Sequence, residues 1–298
     1  MIARSASRVL LLGISAVLLT PHLASACASC GCGDPTLTAM GMEKPFKHRV
    51  RLSLEQRAGV HTSPSESEQT VISRSALSGS YSPTTFLTFA ALFPFFFAQT
   101  KTPTQDARTV YGIGDLEVMA RALIFRDRTF SPRHVVGVLA GMKAPTGPRR
   151  TDSSGYPAPS DMQPGSGSWD ALFGAQYNYF GDAVSLFVSA SYRLTGTGYV
   201  DYRRGSVLGA TAFVQLPIVR SFAIGHGLDA SWTAQSVLSS GALAPNTGGS
   251  LLSLTYGALL AIRSDWLLRL QLQIPIIQRW IGSQSESPTG IVSLTIDL

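Results

Sequence analysis

Arg49-Val50-Arg51-Leu52-Ser53-Leu54-Glu55-Gln56-Arg57-Ala58-Gly59-Val60 decides how this chain is read. Val50, Leu52, Leu54, Ala58 and Val60 fall on one face, with Gln56 as the one polar interruption. Arg49, Arg51, Ser53, Glu55 and Arg57 fall on the other. A period of two marks a β-strand with one apolar and one polar face. A single strand of this kind fits two folds. In a soluble sandwich the apolar face is core; in a membrane barrel it meets lipid and the charged face lines the interior.

The rest of the series separates them. Eleven further segments follow: Val71 to Tyr81, Phe86 to Phe97, Ile113 to Phe125, Val135 to Lys143, Trp169 to Tyr179, Val184 to Leu194, Ser206 to Leu216, Phe222 to Ala234, Leu252 to Ile262, Trp266 to Ile274 and Gly290 to Leu298. In several of them the two faces separate cleanly. Leu116, Val118, Ala120, Ala122 and Ile124 oppose Asp115, Glu117 and Arg121, and Leu268, Leu270, Leu272 and Ile274 oppose Arg269, Gln271 and Gln273. The connections alternate in length. Those near 61–69, 98–111, 144–168, 195–205, 235–250 and 279–289 are long and rich in Ser, Gly, Thr, Pro or Asn. Those at Ser82-Pro83-Thr84, Arg126 to Arg133, Gly181-Asp182, Pro217 to Ser221 and Arg263-Ser264-Asp265 are mostly tight turns. A sandwich has no reason for this rhythm. An all-β, up-and-down antiparallel transmembrane barrel of about 12 strands does, because closure removes the sheet edges that lipid cannot satisfy. Trp169, Tyr177, Tyr179, Trp232, Trp266 and Trp280 sit near strand ends, where interfacial aromatics belong.

The N-terminus carries an export signal: Arg4 and Arg8, an apolar core from Val9 to Leu19, and the small-residue site Ala24-Ser25-Ala26. The expected organisation is therefore a signal peptide at 1–26, a Cys-containing periplasmic segment at 27–47 and an outer-membrane barrel at 48–298. It places the protein in the outer membrane of a Gram-negative bacterium with a periplasmic N-terminus. Charged residues are 14% of the chain, and no apolar run after the signal reaches the roughly 20 residues that a helical span needs. Two of the +6 formal charges leave with Arg4 and Arg8, and the remaining basic residues are scattered at alternate strand positions. That distribution argues against nucleic acid as a partner.

Three features carry candidate chemistry. The first is Cys27-Ala28-Ser29-Cys30-Gly31-Cys32, which holds every cysteine in the chain. Its readings are a soft-metal site for Cu(I) or Zn, a local disulfide with a spare thiol, and acylation of Cys27 with the other two paired. The second is the interior, where Arg49, Arg51, Arg57, Arg74, Arg121, Lys143, Arg193 and Arg269 project with Glu55, Asp115, Glu117, Asp229 and Asp297. A surplus of arginine favours anionic or polar solutes in a pore, while pairing across strands would make the same groups a plug. The third is Phe86 to Phe97, whose inner face carries Phe86, Leu92, Pro94 and Phe96. It reads as an apolar lumen patch or, preferred, as a strand whose upper part packs under a loop. His48, His61, His134 and His226 lie in no nucleophile motif, so no enzyme is expected.

Gly112-Ile113-Gly114-Asp115-Leu116, Lys143-Ala144-Pro145-Thr146-Gly147, Gln163 through Asp170 and Gln273-Ile274-Pro275-Ile276 occur in an order that resembles an outer-membrane family labelled "MetA-pathway of phenol degradation". The resemblance spans roughly residues 48–298. It implies a porin-like barrel for small-molecule uptake, with aromatic compounds as the named association and no catalytic residues to carry over. The Cys cluster is an addition to that pattern, and Leu298 stands where such barrels usually end in an aromatic. The functional expectation is an outer-membrane channel or transporter for small anionic or aromatic solutes, with membrane lipid and the solute as partners. The alternative is a barrel that anchors a copper-binding segment or docks a periplasmic protein.

Overall fold

A computed structural model describes residues 47–63, 68–102, 105–160, 162–282 and 285–298. The export signal and the thiols Cys27, Cys30 and Cys32 lie outside the described residues.

Among the described residues, fourteen strands form one antiparallel sheet that closes on itself. They are β1 (Arg49–Ser63), β2 (Glu68–Ser82), β3 (Leu87–Thr102), β4 (Gln105–Ile113), β5 (Leu116–Arg126), β6 (His134–Ala144) and β7 (Asp170–Phe180), then β8 (Ser185–Thr195), β9 (Val207–Val219), β10 (Phe222–Thr233), β11 (Gly249–Ala261), β12 (Trp266–Trp280), β13 (Ser285–Glu286) and β14 (Thr289–Asp297). β4 and β5 both pair with β3, and β13 and β14 both pair with β1, so the wall has 12 positions. β1 pairs with β14 on one side and β2 on the other, which closes the cylinder.

The alternation sets what each face meets. On β1, Leu54 is 54% exposed on the outside while Arg51 is 5% exposed on the inside. The pattern recurs around the wall: Leu77, Phe93, Val118, Phe173, Leu228, Tyr256, Leu270 and Val292 are all exposed. An apolar belt of this extent is unsuited to water and suited to the hydrocarbon of a bilayer.

Two connections differ from the sequence reading. The segments 61–69 and 98–111 are not long loops. β1 and β2 run on to Ser63 and from Glu68, and β3 and β4 run on to Thr102 and from Gln105, so each pair is a hairpin that extends the wall. Their polar, Thr- and Gln-rich composition hid the strand because the apolar face stops where the lipid-facing belt stops. The turn from Arg126 to His134 is long but closed. The amides of Arg133 and His134 donate to Asp127 Oδ1 at 2.8 and 3.0 Å. The His134 amide, with that of Arg133 beside it, holds the Asp127 carboxyl below its ordinary pKa.

The interior is less polar than the alternation predicts. Phe187 and Phe213 pack together with Phe180 toward the end of the barrel that carries the tight turns, and Ala90, Met119, Leu139 and Leu172 form a second cluster on the neighbouring strands β3, β5, β6 and β7. Phe213 fits because its neighbours have no side chains. A Cβ at Gly225 would lie 2.5 Å from the Phe213 ring, and one at Gly257 would lie 3.0 Å away. Gly225→Val will therefore force the ring off the wall and cost about 1–3 kcal/mol of overpacking. The check is the temperature at which the folded band is lost on unboiled SDS gels, and an unchanged temperature refutes the packing argument.

Candidate functional site

At the other end, where the long connections lie, the interior holds a cavity of about 260 Å³. A cavity of about 150 Å³ already holds a benzene-sized molecule, so this one has room for a small organic solute. Basic side chains on its wall are Arg57, Arg74, Lys143, Arg193 and Arg204. Acidic ones are Asp115, Glu117, Asp170, Asp229 and Glu286, and Ile72, Pro94, Phe96, Leu172 and Leu251 supply apolar surface.

The mouth of this cavity is shaped by the 144–168 connection, and the anchor of that connection is Asp115. β3 pairs Phe95 with Ile113 and Leu92 with Glu117, so three residues of the β4–β5 position face two of β3. This is a bulge, and it lies beside Pro94, which has no N–H to lose from the ladder. The extra residue lets Ile113 face out while Asp115 turns in, 4% exposed. Asp115 accepts from the Gly147 amide at 3.0 Å, the Ser166 amide at 2.7 Å and the Ser166 hydroxyl at 2.8 Å. Lys143 lies 3.2 Å from Asp115 and 2.8 Å from Asp170, and it also donates to Ser166. One buried ammonium between two carboxylates thus ties both ends of the loop to the wall. The loop strands meet so closely that a Cβ at Gly165 would sit 2.6 Å from the Gly147 carbonyl.

Other contacts hold the loop over the interior. Tyr199 donates to the Gly147 carbonyl at 2.6 Å, and Arg204 donates to the carbonyls of Ser160 and Gln163, both at 2.9 Å. Met162 packs on the cluster of Ile72, Phe96 and Ala98. The upper part of the Phe-rich strand therefore packs under a loop, while Pro94 and Phe96 also face the cavity.

The charged residues read as interior occupy two zones. Arg57, Arg74, Asp115, Glu117, Lys143, Arg193 and Asp229 line the cavity. Arg193 donates to both oxygens of Glu117 at 2.7 and 2.9 Å, a bidentate pair across the interior. Asp229 accepts from Thr211 at 2.7 Å and from Thr255. Arg57 donates to Gln273 at 3.1 Å, with Glu55 3.8 Å away. Arg49, Arg51, Arg121, Arg269 and Asp297 lie nearer the tight-turn end. There Asp297 accepts from Arg49 and Arg51, each Nε at 2.8 Å, and Arg121 lies within Coulombic reach of both arginines and 3.4 Å from Thr88 Oγ1. Arg49, Arg51 and Arg121 thus bring three guanidiniums to this zone, two of them on Asp297. The sequence reading missed the loop latch, Asp170, Ser166 and Ser168 above all. Its available signal was Gly-Asp at a strand interruption beside a mid-strand proline.

A closed wall of 12 antiparallel positions with an apolar exterior and an ionised interior defines an outer-membrane β-barrel. Among solved structures the chain is similar to the COG4313 outer membrane channel from Pseudomonas putida F1, at 15% identity and a TM-score of 0.69, covering 86% of this chain and 98% of that one. It is also similar to the NanC porin, at 9% identity and a TM-score of 0.50, covering 84% and 100%. No curated protein matches the chain. The family model described as "Putative MetA-pathway of phenol degradation" matches residues 68–248, and the chain belongs to that family.

Proposed function

We propose that this barrel is a passive, non-catalytic channel of the outer membrane for small anionic or aromatic solutes. Its long connections face the outside and its N-terminal segment lies in the periplasm. The observation that carries the reading is the cavity at the loop end, with the guanidiniums of Arg49, Arg51 and Arg121 farther along the interior toward the tight turns. A solute entering from the loops meets a pocket of its own size and then a field that favours anions. Rings of side-chain charge set ion preference in this manner, and the low-dielectric wall strengthens the field. The similar solved proteins named as channels and porins agree in fold.

Planar bilayers test the reading. Purified protein will conduct and, in a potassium chloride gradient, prefer chloride over potassium several-fold. Arg51→Gln combined with Arg121→Gln will bring that ratio to about unity. A protein that inserts with a folded-band mobility but neither conducts nor admits small sugars to liposomes refutes the channel, and an unchanged ratio in the double variant refutes the role of the positive zone.

A further inference from the structure

Three strands that run toward the tight turns end alike. β5 closes on Ile124-Phe125-Arg126, β9 leads into Ile218-Val219-Arg220 and β11 into Ala261-Ile262-Arg263. In each, apolar side chains come just before an arginine. On β9 a bulge shapes this ending. Val219 pairs with Phe222 and Pro217 with Ala223, so Ile218 is the extra residue, and Pro217 beside it has no N–H to lose. Ile218 and Val219 are consecutive yet both exposed, at 55% and 59%.

The turns that follow β9 and β11 are neighbours. The Ala261 amide donates to the Ser221 carbonyl at 2.8 Å, and Phe222 stands opposite Leu260. This brings Arg220 and Arg263, both exposed, to one stretch of the rim, beside exposed Ile218, Val219 and Ile262. Trp266 opens β12 on the same stretch, and its carbonyl accepts from the Ile262 amide at 2.9 Å. Tryptophan at a strand end marks the headgroup layer. Two acidic groups lie near: Asp265 on the Arg263 turn, and the carboxyl end at Leu298 beyond β12. Over residues 217–221 and 262–265, two arginines stand against the one aspartate, a net charge of +1.

The matching end of β5 is arranged differently. Arg126 donates to Thr85 at 2.9 Å, Arg128 lies 3.6 Å from Asp127, and Arg133 lies 2.9 Å from Asp182. That sector carries the same apolar-then-arginine ending but couples its arginines to the wall and to its own aspartates.

We propose that the turns carrying Arg220 and Arg263 bind the headgroup of an anionic phospholipid. The two guanidiniums hold the phosphate, and an acyl chain lies along Ile218, Val219 and Ile262. Guanidinium groups meet phosphate through parallel hydrogen bonds, and basic residues at the edge of an apolar belt attract anionic lipid. The site is on the outer surface of the barrel, so it goes beyond the channel reading and does not depend on conduction.

Native mass spectrometry of the full-length protein tests it, with dioleoyl phosphatidylglycerol and dioleoyl phosphatidylcholine offered in mixed micelles at equal concentration. The parent is expected to retain phosphatidylglycerol over phosphatidylcholine by about fivefold or more, the effect of one basic residue near an anionic surface. Arg220→Gln combined with Arg263→Gln will bring the ratio to about unity. Asp265→Asn will raise it, because the acid of the same turn is gone. Arg128→Gln, in the other sector, will leave it unchanged. Each variant is first shown to run as a folded band on unboiled gels, and either single arginine substitution replaces the double variant should that one fail to fold. Equal retention of both lipids by the parent, or an unchanged ratio in the double or single variants, overturns the proposal. An equal loss in Arg128→Gln also overturns it, since the preference would then belong to the charge of the whole rim. Conductance in planar bilayers is read separately, so failure of the channel reading leaves this result standing.

Discussion

Asp115→Ala will free the 144–168 loop from the barrel mouth. Hydrogen exchange at the amides of Gly147 and Ser166 will rise at least 100-fold, and trypsin will cut at Arg149 and Arg150 much faster than in the parent protein. The carboxylate receives two loop amides and one hydroxyl at 2.7–3.0 Å, and a hydrogen bond to a charged group is worth about 1.5–3 kcal/mol. Their loss removes the loop's anchor to the wall at both Gly147 and Ser166. The released amides will then find water by leaving the mouth rather than stay buried and unsatisfied. Lys143 keeps Asp170 at 2.8 Å, so the ammonium retains a partner and the wall itself holds. That separation makes the variant informative, because conductance will rise while the folded band on unboiled gels persists. Asp115→Asn keeps one acceptor oxygen and will fall between the parent and the alanine variant. Unchanged exchange at Gly147 and Ser166 in Asp115→Ala would show that the loop is held by Tyr199, Arg204 and Met162 instead.

The wall was legible in the sequence because lipid imposes one rule at every outward position. Leu52, Leu54, Val118, Phe173, Leu270 and Val292 obey it, and all are exposed outside the barrel. The interior follows no single rule. Phe187 and Phe213 occupy inward positions where polar residues were expected, and what admits Phe213 is the absence of side chains at Gly225 and Gly257 on neighbouring strands. Such complementarity appears only when strands are placed in register. The hairpin from β3 to β4 was hidden for a related reason. Beyond the apolar belt the outward face turns polar, so alternation no longer distinguishes strand from loop. The charged residues of the cavity were readable as inward, but the division into a loop latch around Asp115 and a positive zone around Arg121 was not. It depends on a bulge of one residue and on a loop that folds back over the interior.

The largest loss of barrel stability is expected at Asp297. This residue sits on β14 at the seam where the last strand meets the first. Its carboxylate accepts from Arg49 Nε at 2.8 Å, and from Arg51 Nε and Nη2 at 2.8 and 2.9 Å. Asp297→Ala keeps every backbone hydrogen bond of the seam but removes the anion that two inward guanidiniums share. Removing one partner of a fully buried ion pair costs about 3–5 kcal/mol, and because Arg49 and Asp297 are only part-buried the expected cost here is about 2 kcal/mol. At roughly 2–4 °C per kcal/mol for a chain of this size class, the folded band will be lost at a temperature about 5 °C lower. Replacing all three groups by apolar residues (Arg49→Met, Arg51→Leu and Asp297→Leu) separates the two contributions. Exchange of a whole ionic cluster for hydrophobic side chains is often neutral, so the triple variant will recover most of the lost temperature if charge imbalance is the cause. A triple variant as unstable as the single one would mean that the carboxylate orders the seam through geometry that apolar packing cannot replace. A single variant as stable as the parent would assign closure to the β1–β14 ladder alone.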